Sequence, residues 1–234
     1  MPNLANIDFI GTLSRYLIAF LMVVPALTLH EWAHAFAAYK MGDNTPRMVG
    51  RLSLNPLRHI DPVGTVAIPL VLLLVTNGAF SFGYAKPVPI NPRNFRDYKK
   101  GILITGIAGP LMNLALGAAV ALLLRALLFV ATLSFGSELT TILAAGTLAG
   151  TLLQALYTFA YMNFALAFFN LIPIPPLDGS RIVQRFLSGR ARELYNQLER
   201  FGFLIVLALA WGTSLLDIYF NWTVLPLMRL LTGF

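Results

Sequence analysis

The chain contains no cysteine, so disulfides and thiolate metal ligands are excluded, and any metal must be held by His, Asp, Glu or water. Charge is scarce as well: 12% of the 234 residues are charged, against about a quarter in a typical soluble domain. In contrast, 57% are of hydrophobic type. Such a chain suits a bilayer and not water. Nucleic-acid motifs are missing, as is any basic face interleaved with aromatics, so the net charge of +7 does not indicate a nucleic-acid partner. The cations instead fall in short stretches between apolar runs, where the positive-inside rule places them. No repeat or low-complexity tract is present. A cleavable signal peptide is not expected, because the first apolar run is long and carries the best chemical motif in the chain.

A membrane-crossing helix needs about 20 mostly apolar residues. Four runs qualify: Tyr16 to Met41; Gly101 to Leu133, with an interruption expected at Gly109-Pro110; a segment within Leu139 to Phe169; and Phe201 to Phe220. A fifth, Val63 to Phe80, is shorter, contains Pro69 and ends in Asn77-Gly78. Cations decide the topology. Lys40, Arg47, Arg51 and Arg58 precede the fifth run, Lys86, Arg93, Arg96, Lys99 and Lys100 follow it, and Arg181, Arg185, Arg190, Arg192 and Arg200 follow the third. The 131–140 connection has no Lys or Arg. A fully spanning Val63–Phe80 would put the first two basic stretches on opposite sides, whereas a re-entrant one keeps all three inside.

The expected fold is therefore an all-α integral membrane protein, a helical bundle of about four to six transmembrane segments with one re-entrant segment. It sits multi-pass in the cell membrane, with the N-terminus and the 131–140 loop outside. Trp211 and Trp222 read as interfacial anchors or as a subunit contact, and Arg125 as a cation snorkelling to the outer interface. The oligomeric state is left open.

His30-Glu31-Trp32-Ala33-His34 reads H-E-x-x-H. On a helix, residues four apart share a face, so both imidazoles can reach one ion. Glu31 between them is placed to act as a general base on water. Chance matches to this pattern occur, but two His and a Glu inside an apolar span are costly unless paired or functional. A third ligand has to come from elsewhere. Asp8 and Glu138 fall outside in this topology, and Asp217 toward the outer end of the fourth run. Asp178 stands out, after Pro173, Pro175 and Pro176, which stiffen the approach, and before Gly179. Its alternative role is to N-cap a helix starting near Ser180.

The chain resembles the site-2 proteases, intramembrane zinc metalloproteases, in the short form without a PDZ domain. Three motifs carry the resemblance in family order: His30-Glu-Trp-Ala-His34, Gly109-Pro-Leu-Met-Asn113, and Asn170 through the prolines to Leu177-Asp178-Gly179. Gly50-Arg-Leu-Ser-Leu-Asn-Pro56 and Tyr84-Ala-Lys-Pro-Val-Pro89 also look typical. The resemblance implies one Zn2+ per chain, held by His30, His34 and Asp178, with Glu31 as catalytic base and the site toward the cytoplasmic side. It implies membrane-spanning or membrane-adjacent protein or peptide substrates, and one membrane-embedded domain over 1–234 with core 16–185 and an accessory C-terminal helix 201–222. It suggests that Asn113 and Asn170 assist as oxyanion or substrate donors, where helix–helix hydrogen bonding is the alternative. Residues 47–54 resemble the family's membrane-associated β-loop, an edge for strand addition. His59, the remaining histidine, is an additional or regulatory ligand, an interfacial loop residue, or a hydrogen-bond partner of Asp61. Two other readings compete: a zinc-binding membrane transporter, against which no internal repeat is found, and a non-proteolytic membrane chaperone or scaffold, against which Glu31 stands intact.

Overall fold

The computed structural model describes residues 9–76, 83–136, 147–212 and 214–233. Every regular element among these residues is helical. The chain divides into two units, Met1–Gly109 and Pro110–Phe234.

The first unit opens with α1, Phe9–Met41, whose 33 residues are more than enough to cross a hydrocarbon core. α1 stops at Gly42, which takes φ +111°, a conformation that favours glycine. A side chain there would also lie 3.0 Å from the Asn94 carbonyl. Asp43 follows, fully buried. Its carboxylate accepts from the Thr45 amide and hydroxyl at 3.0 and 2.6 Å, from the Asn91 amide at 2.7 Å and from Asn94 Nδ2 at 2.8 Å. Burial pushes this carboxyl up, but the bonds from Thr45, Asn94 and Asn91 outweigh it and hold the group below its ordinary value.

The short α2, Thr45–Met48, takes up the start of the segment expected as a β-loop. No strand forms there among the described residues. Pro46, Gly50 at φ +71° and Asn55-Pro56 punctuate the stretch too closely for a ladder. Arg51 braces it instead, donating to the carbonyls of Arg58 and Lys86. Asp61 then caps a π-helical turn, Pro62–Ala67, by accepting from the amides of Val63 and Gly64. α3, Ile68–Val75, continues it. Together they rise only about 20 Å, short of the ~30 Å core. Phe80 and the end of this run lie outside the described residues. At Tyr84 the chain is back beside Gly64: Tyr84 N–H donates to Gly64 O at 3.1 Å, and Thr65 Oγ1 donates to Tyr84 O at 2.7 Å. The Tyr84 ring covers Gly64 so closely that a Cβ there would come within 2.3 Å of it. A strap without regular secondary structure, residues 83–91, leads on to α4.

α4, Tyr98–Phe135, is one helix of 38 residues with Pro110 inside it. The interruption expected at Gly109-Pro110 does not occur. Proline removes one N–H, but leaving the helix within a bilayer would expose many more unpaired groups.

In the second unit α4 packs with α5, Leu148–Leu171, and α9, Leu215–Thr232, around Ala121, Ala160, Phe164, Val224 and Met228. Lipid tails are as apolar as these side chains, so close packing has to supply the attraction. Gly117 permits it, since a Cβ there would lie 2.7 Å from the Phe164 ring. Buried Asn113 donates to Asn163 Oδ1 at 2.9 Å, and Asn163 donates to Phe159 O at 2.8 Å. Beyond α5 come α6, Gly179–Phe186, α7, Gly189–Gln197, and α8, Glu199–Gly212.

The run expected as one span, Phe201–Phe220, is thus split between α8 and α9 near Gly212 and Ser214, residues that favour helix ends. The break relocates Asp217. It lies in the first turn of α9, where Tyr219 Oη donates to Phe168 O at 3.2 Å. Asp217 is therefore at the end of α5 that leads to Asp178. At the other end of α9, Arg125 donates to the Leu230 carbonyl at 3.4 Å. A cation at a helix C-terminus is favourable there. Trp222 is 80% exposed, as an anchor would be, while the Trp211 side chain, Asp8, Glu138 and part of the 131–140 connection lie outside the described residues. α4 and α5 are each long and apolar enough to cross a membrane.

Asp43→Asn should destabilise the protein by an amount that depends on pH. Because the folded carboxyl lies below its ordinary value of about 4, its contribution is complete above that pH and fades as pH falls through the lower folded value. Thermal unfolding in detergent should show a constant gap between wild type and variant near neutrality, closing below about pH 4.

Candidate metal centre

α1 carries His30, Glu31 and His34 on adjoining positions of one helical turn. Both imidazoles are buried, each 4% exposed. Their Nε2 atoms approach to 3.0 Å, with the rings edge to face. Two Zn–N bonds of about 2.0–2.1 Å at a tetrahedral angle set the nitrogens about 3.3 Å apart, so the pair fits two ligands of one ion. His34 Nδ1 donates to the Thr105 carbonyl of α4 at 2.6 Å. That bond leaves Nε2 as the lone-pair nitrogen and holds the ring in place, the usual outer partner of a metal-binding histidine.

Gly109 lies one turn further along α4. A Cβ on it would stand 2.3 Å from His34 Nε2 and 2.5 Å from His30 Nε2. Any side chain would occupy the space into which both nitrogens point. This role was not read from the sequence, although the Gly-Pro pair inside an apolar run marked the place.

Glu31 is half-buried, and its Oε2 accepts from the Val88 main-chain amide at 3.1 Å. A carboxylate so held keeps its other oxygen available to a water. The contact was also missed, because a backbone donor leaves no mark in residue types.

In the second unit, Asp178 is buried at 7% exposure and stands at the N-cap position of α6. Its side chain makes no capping bond, so the helix-start role does not account for it. The preceding turn contains a cis bond between Pro175 and Pro176. Gly179 is required behind the carboxylate, since a Cβ would come within 2.2 Å of the Leu171 carbonyl.

The remaining expected residues have other bonds. Asn113 pairs with Asn163 between helices, as described above, and Asn170 Nδ2 donates back to the Leu166 carbonyl at 2.9 Å. His59 is buried in the loop before Asp61, and its Nε2 donates to Ser53 O at 2.7 Å. Its Nδ1 has no hydrogen-bond partner among the described residues. Asp61 is engaged with the Val63 and Gly64 amides, not with His59.

Comparison with known proteins bears on this chemistry directly. The model of Peptidase family M50 matches residues 16–213. The curated proteins that match carry the name "Putative zinc metalloprotease". YwhC of Bacillus subtilis (strain 168) is 37% identical over 198 residues, covering 85% of this chain and 81% of the relative. Rip2 of Mycolicibacterium smegmatis (strain ATCC 700084 / mc(2)155) is 26% identical over 203 residues, covering 87% and 69%. No solved structure matches the chain.

Gly109→Ala should abolish stoichiometric zinc binding, lowering affinity about 100-fold or more, at least the effect of losing an outer-shell partner. Metal analysis after dialysis against a chelator gradient checks this. Full zinc retention in the alanine variant would show that the space in front of the two nitrogens is not the metal's.

Proposed function

The chain belongs to peptidase family M50, the site-2 protease family, and on that basis we propose that it hydrolyses peptide bonds of membrane-spanning or membrane-adjacent proteins near the cytoplasmic face. It is a metalloprotease whose cofactor is zinc. The observation that carries the reading is the convergence of the His30 and His34 Nε2 atoms beside a half-buried Glu31. In this proposal His30, His34 and Asp178 hold one ion, with one position left open for chemistry. All three are buried, and their donor types suit zinc.

Zinc, when bound, supplies Lewis acidity and lowers the pKa of water toward about 7. Glu31 takes a proton from the attacking water and later delivers it to the leaving amine. The Thr105 carbonyl keeps His34 in one tautomer throughout. Asn170 or Asn113 is proposed to steady the oxyanion or the substrate backbone, Asn170 the more readily. It needs only to give up a bond to its own helix, whereas Asn113 is committed to Asn163. For His59 a regulatory role is the weaker proposal, because its Nε2 is already taken by Ser53.

The family match spans both units, which supports a single metalloprotease domain. The charge pattern supports a multi-pass chain in the cell membrane with its basic stretches inside. The Tyr84–Gly64 bond supports a re-entrant segment, because the chain leaves and returns at one point. Substrate carbonyls inside a helix are hydrogen-bonded and shielded, so the substrate has to unwind locally before attack.

Glu31→Gln should keep its zinc and lose about 10²–10⁴-fold in rate on a transmembrane substrate in detergent. Asp178→Asn should instead lose zinc together with activity. If Glu31→Gln cleaves as well as wild type at matched zinc content, the general-base assignment fails.

A further inference from the structure

The strap between α3 and α4 is pinned at four places. Tyr84 N–H donates to Gly64 O, Lys86 N–H to His59 O at 2.9 Å, Val88 N–H to Glu31 Oε2, and Asn91 N–H to Asp43 Oδ2. Its sequence, Lys86-Pro87-Val88-Pro89-Ile90, places a proline on each side of Val88. Prolines fix φ near −65° and carry no N–H, so Val88 supplies the single donor of residues 87–89. Val88 is also the residue that turns inward: it is 6% exposed, while Lys86, Pro87 and Pro89 are exposed.

We propose that the Val88 main-chain N–H is the positioning donor for Glu31, and that Asp43 keeps it in place by anchoring the end of the strap. This deepens the reading of Glu31 as general base and rests on it. A glutamate has three side-chain torsions, and left alone it samples several rotamers. A general base has to lie within about 2.6–3.2 Å of the proton it takes. One carboxylate oxygen bonded to a stiff backbone fixes the plane of the group and directs the other oxygen at the reacting water. Asp43 lies off the metal centre, and the donors to its carboxylate are on Thr45, Asn91 and Asn94. A fully buried carboxylate bound by charge-assisted bonds is a strong tether. It joins the end of α1, the helix that carries Glu31, to the end of the strap that holds Glu31.

The test is a pair of variants read by kinetics and by amide exchange. Val88→Pro removes the N–H from a stretch that already holds Pro87 and Pro89. It should retain zinc and KM while kcat falls about 10–100-fold, the cost of a misplaced catalytic group. Val88→Ala restores the N–H and should recover most of that rate. Asp43→Asn should lower kcat in the same sense and add little to Val88→Pro, since two changes acting through one contact are not additive. Independently of turnover, the Val88 amide should exchange slowly in zinc-free wild type and faster in Glu31→Ala. It is readable by mass spectrometry because its neighbours on both sides are prolines. Unaltered kcat in a zinc-retaining Val88→Pro, or exchange indifferent to Glu31→Ala, overturns this inference and leaves the protease reading standing. Should Val88→Pro lose its zinc, the kcat of zinc-loaded Asp43→Asn decides in its place: a fall supports the inference, and an unchanged value overturns it. A zinc-loaded wild type that cuts no transmembrane substrate overturns the general-base reading and this one together.

Discussion

A polar group buried away from water needs a partner, and in this chain the bond from His34 Nδ1 to the Thr105 carbonyl answers that need at the critical point. It chooses the tautomer, and so decides which nitrogen keeps its lone pair. It also registers α1 against α4, so that Gly109, one turn past Thr105, comes opposite the Nε2 atoms of His30 and His34. Without that register the absence of a side chain at position 109 would have no purpose. The first unit's chemistry thus depends on a main-chain oxygen meeting an imidazole inside an apolar helix pair.

The same economy recurs in the polar groups around it. Arg51 satisfies two loop carbonyls, Asp61 caps the turn that begins the α3 segment, and Asp43 gathers donors from both ends of its loop. None of these side chains is chemically reactive here. Each replaces regular secondary structure as the partner of backbone that would otherwise be unpaired. In the second unit, Asn113 and Asn163 do this between helices, and the small residues around Phe164 supply the close contact that burial alone cannot supply in lipid.

Much of the centre was legible in the sequence for a simple reason. His30, Glu31 and His34 belong to one helical turn, so their geometry follows from spacing alone. Asp178 was singled out by its proline-bound approach and its glycine, and it stands at the start of α6 without a side-chain capping bond. What escaped reading depends on contacts between distant segments or on backbone atoms. Neither the Val88 amide nor the Thr105 carbonyl has a residue-type signature. At residues 47–54 a resemblance suggested a strand, yet local proline and glycine chemistry prevailed. At Gly109-Pro110 the breaker signal was real, but the cost of unpaired backbone in lipid outweighed it. The split between α8 and α9 was hidden because both sides of it are equally apolar.

The contact between Val88 and Glu31 has a consequence for how the chain tolerates genetic drift. A donor carried by the main chain survives replacement of the side chain by any residue except proline. One-base changes in a valine codon yield isoleucine, leucine, methionine, phenylalanine, alanine, aspartate, glutamate or glycine, and never proline. The hydrogen bond to the carboxylate is therefore shielded by the code itself. The bond is thus a property of the main chain at position 88 and not of the side chain found there.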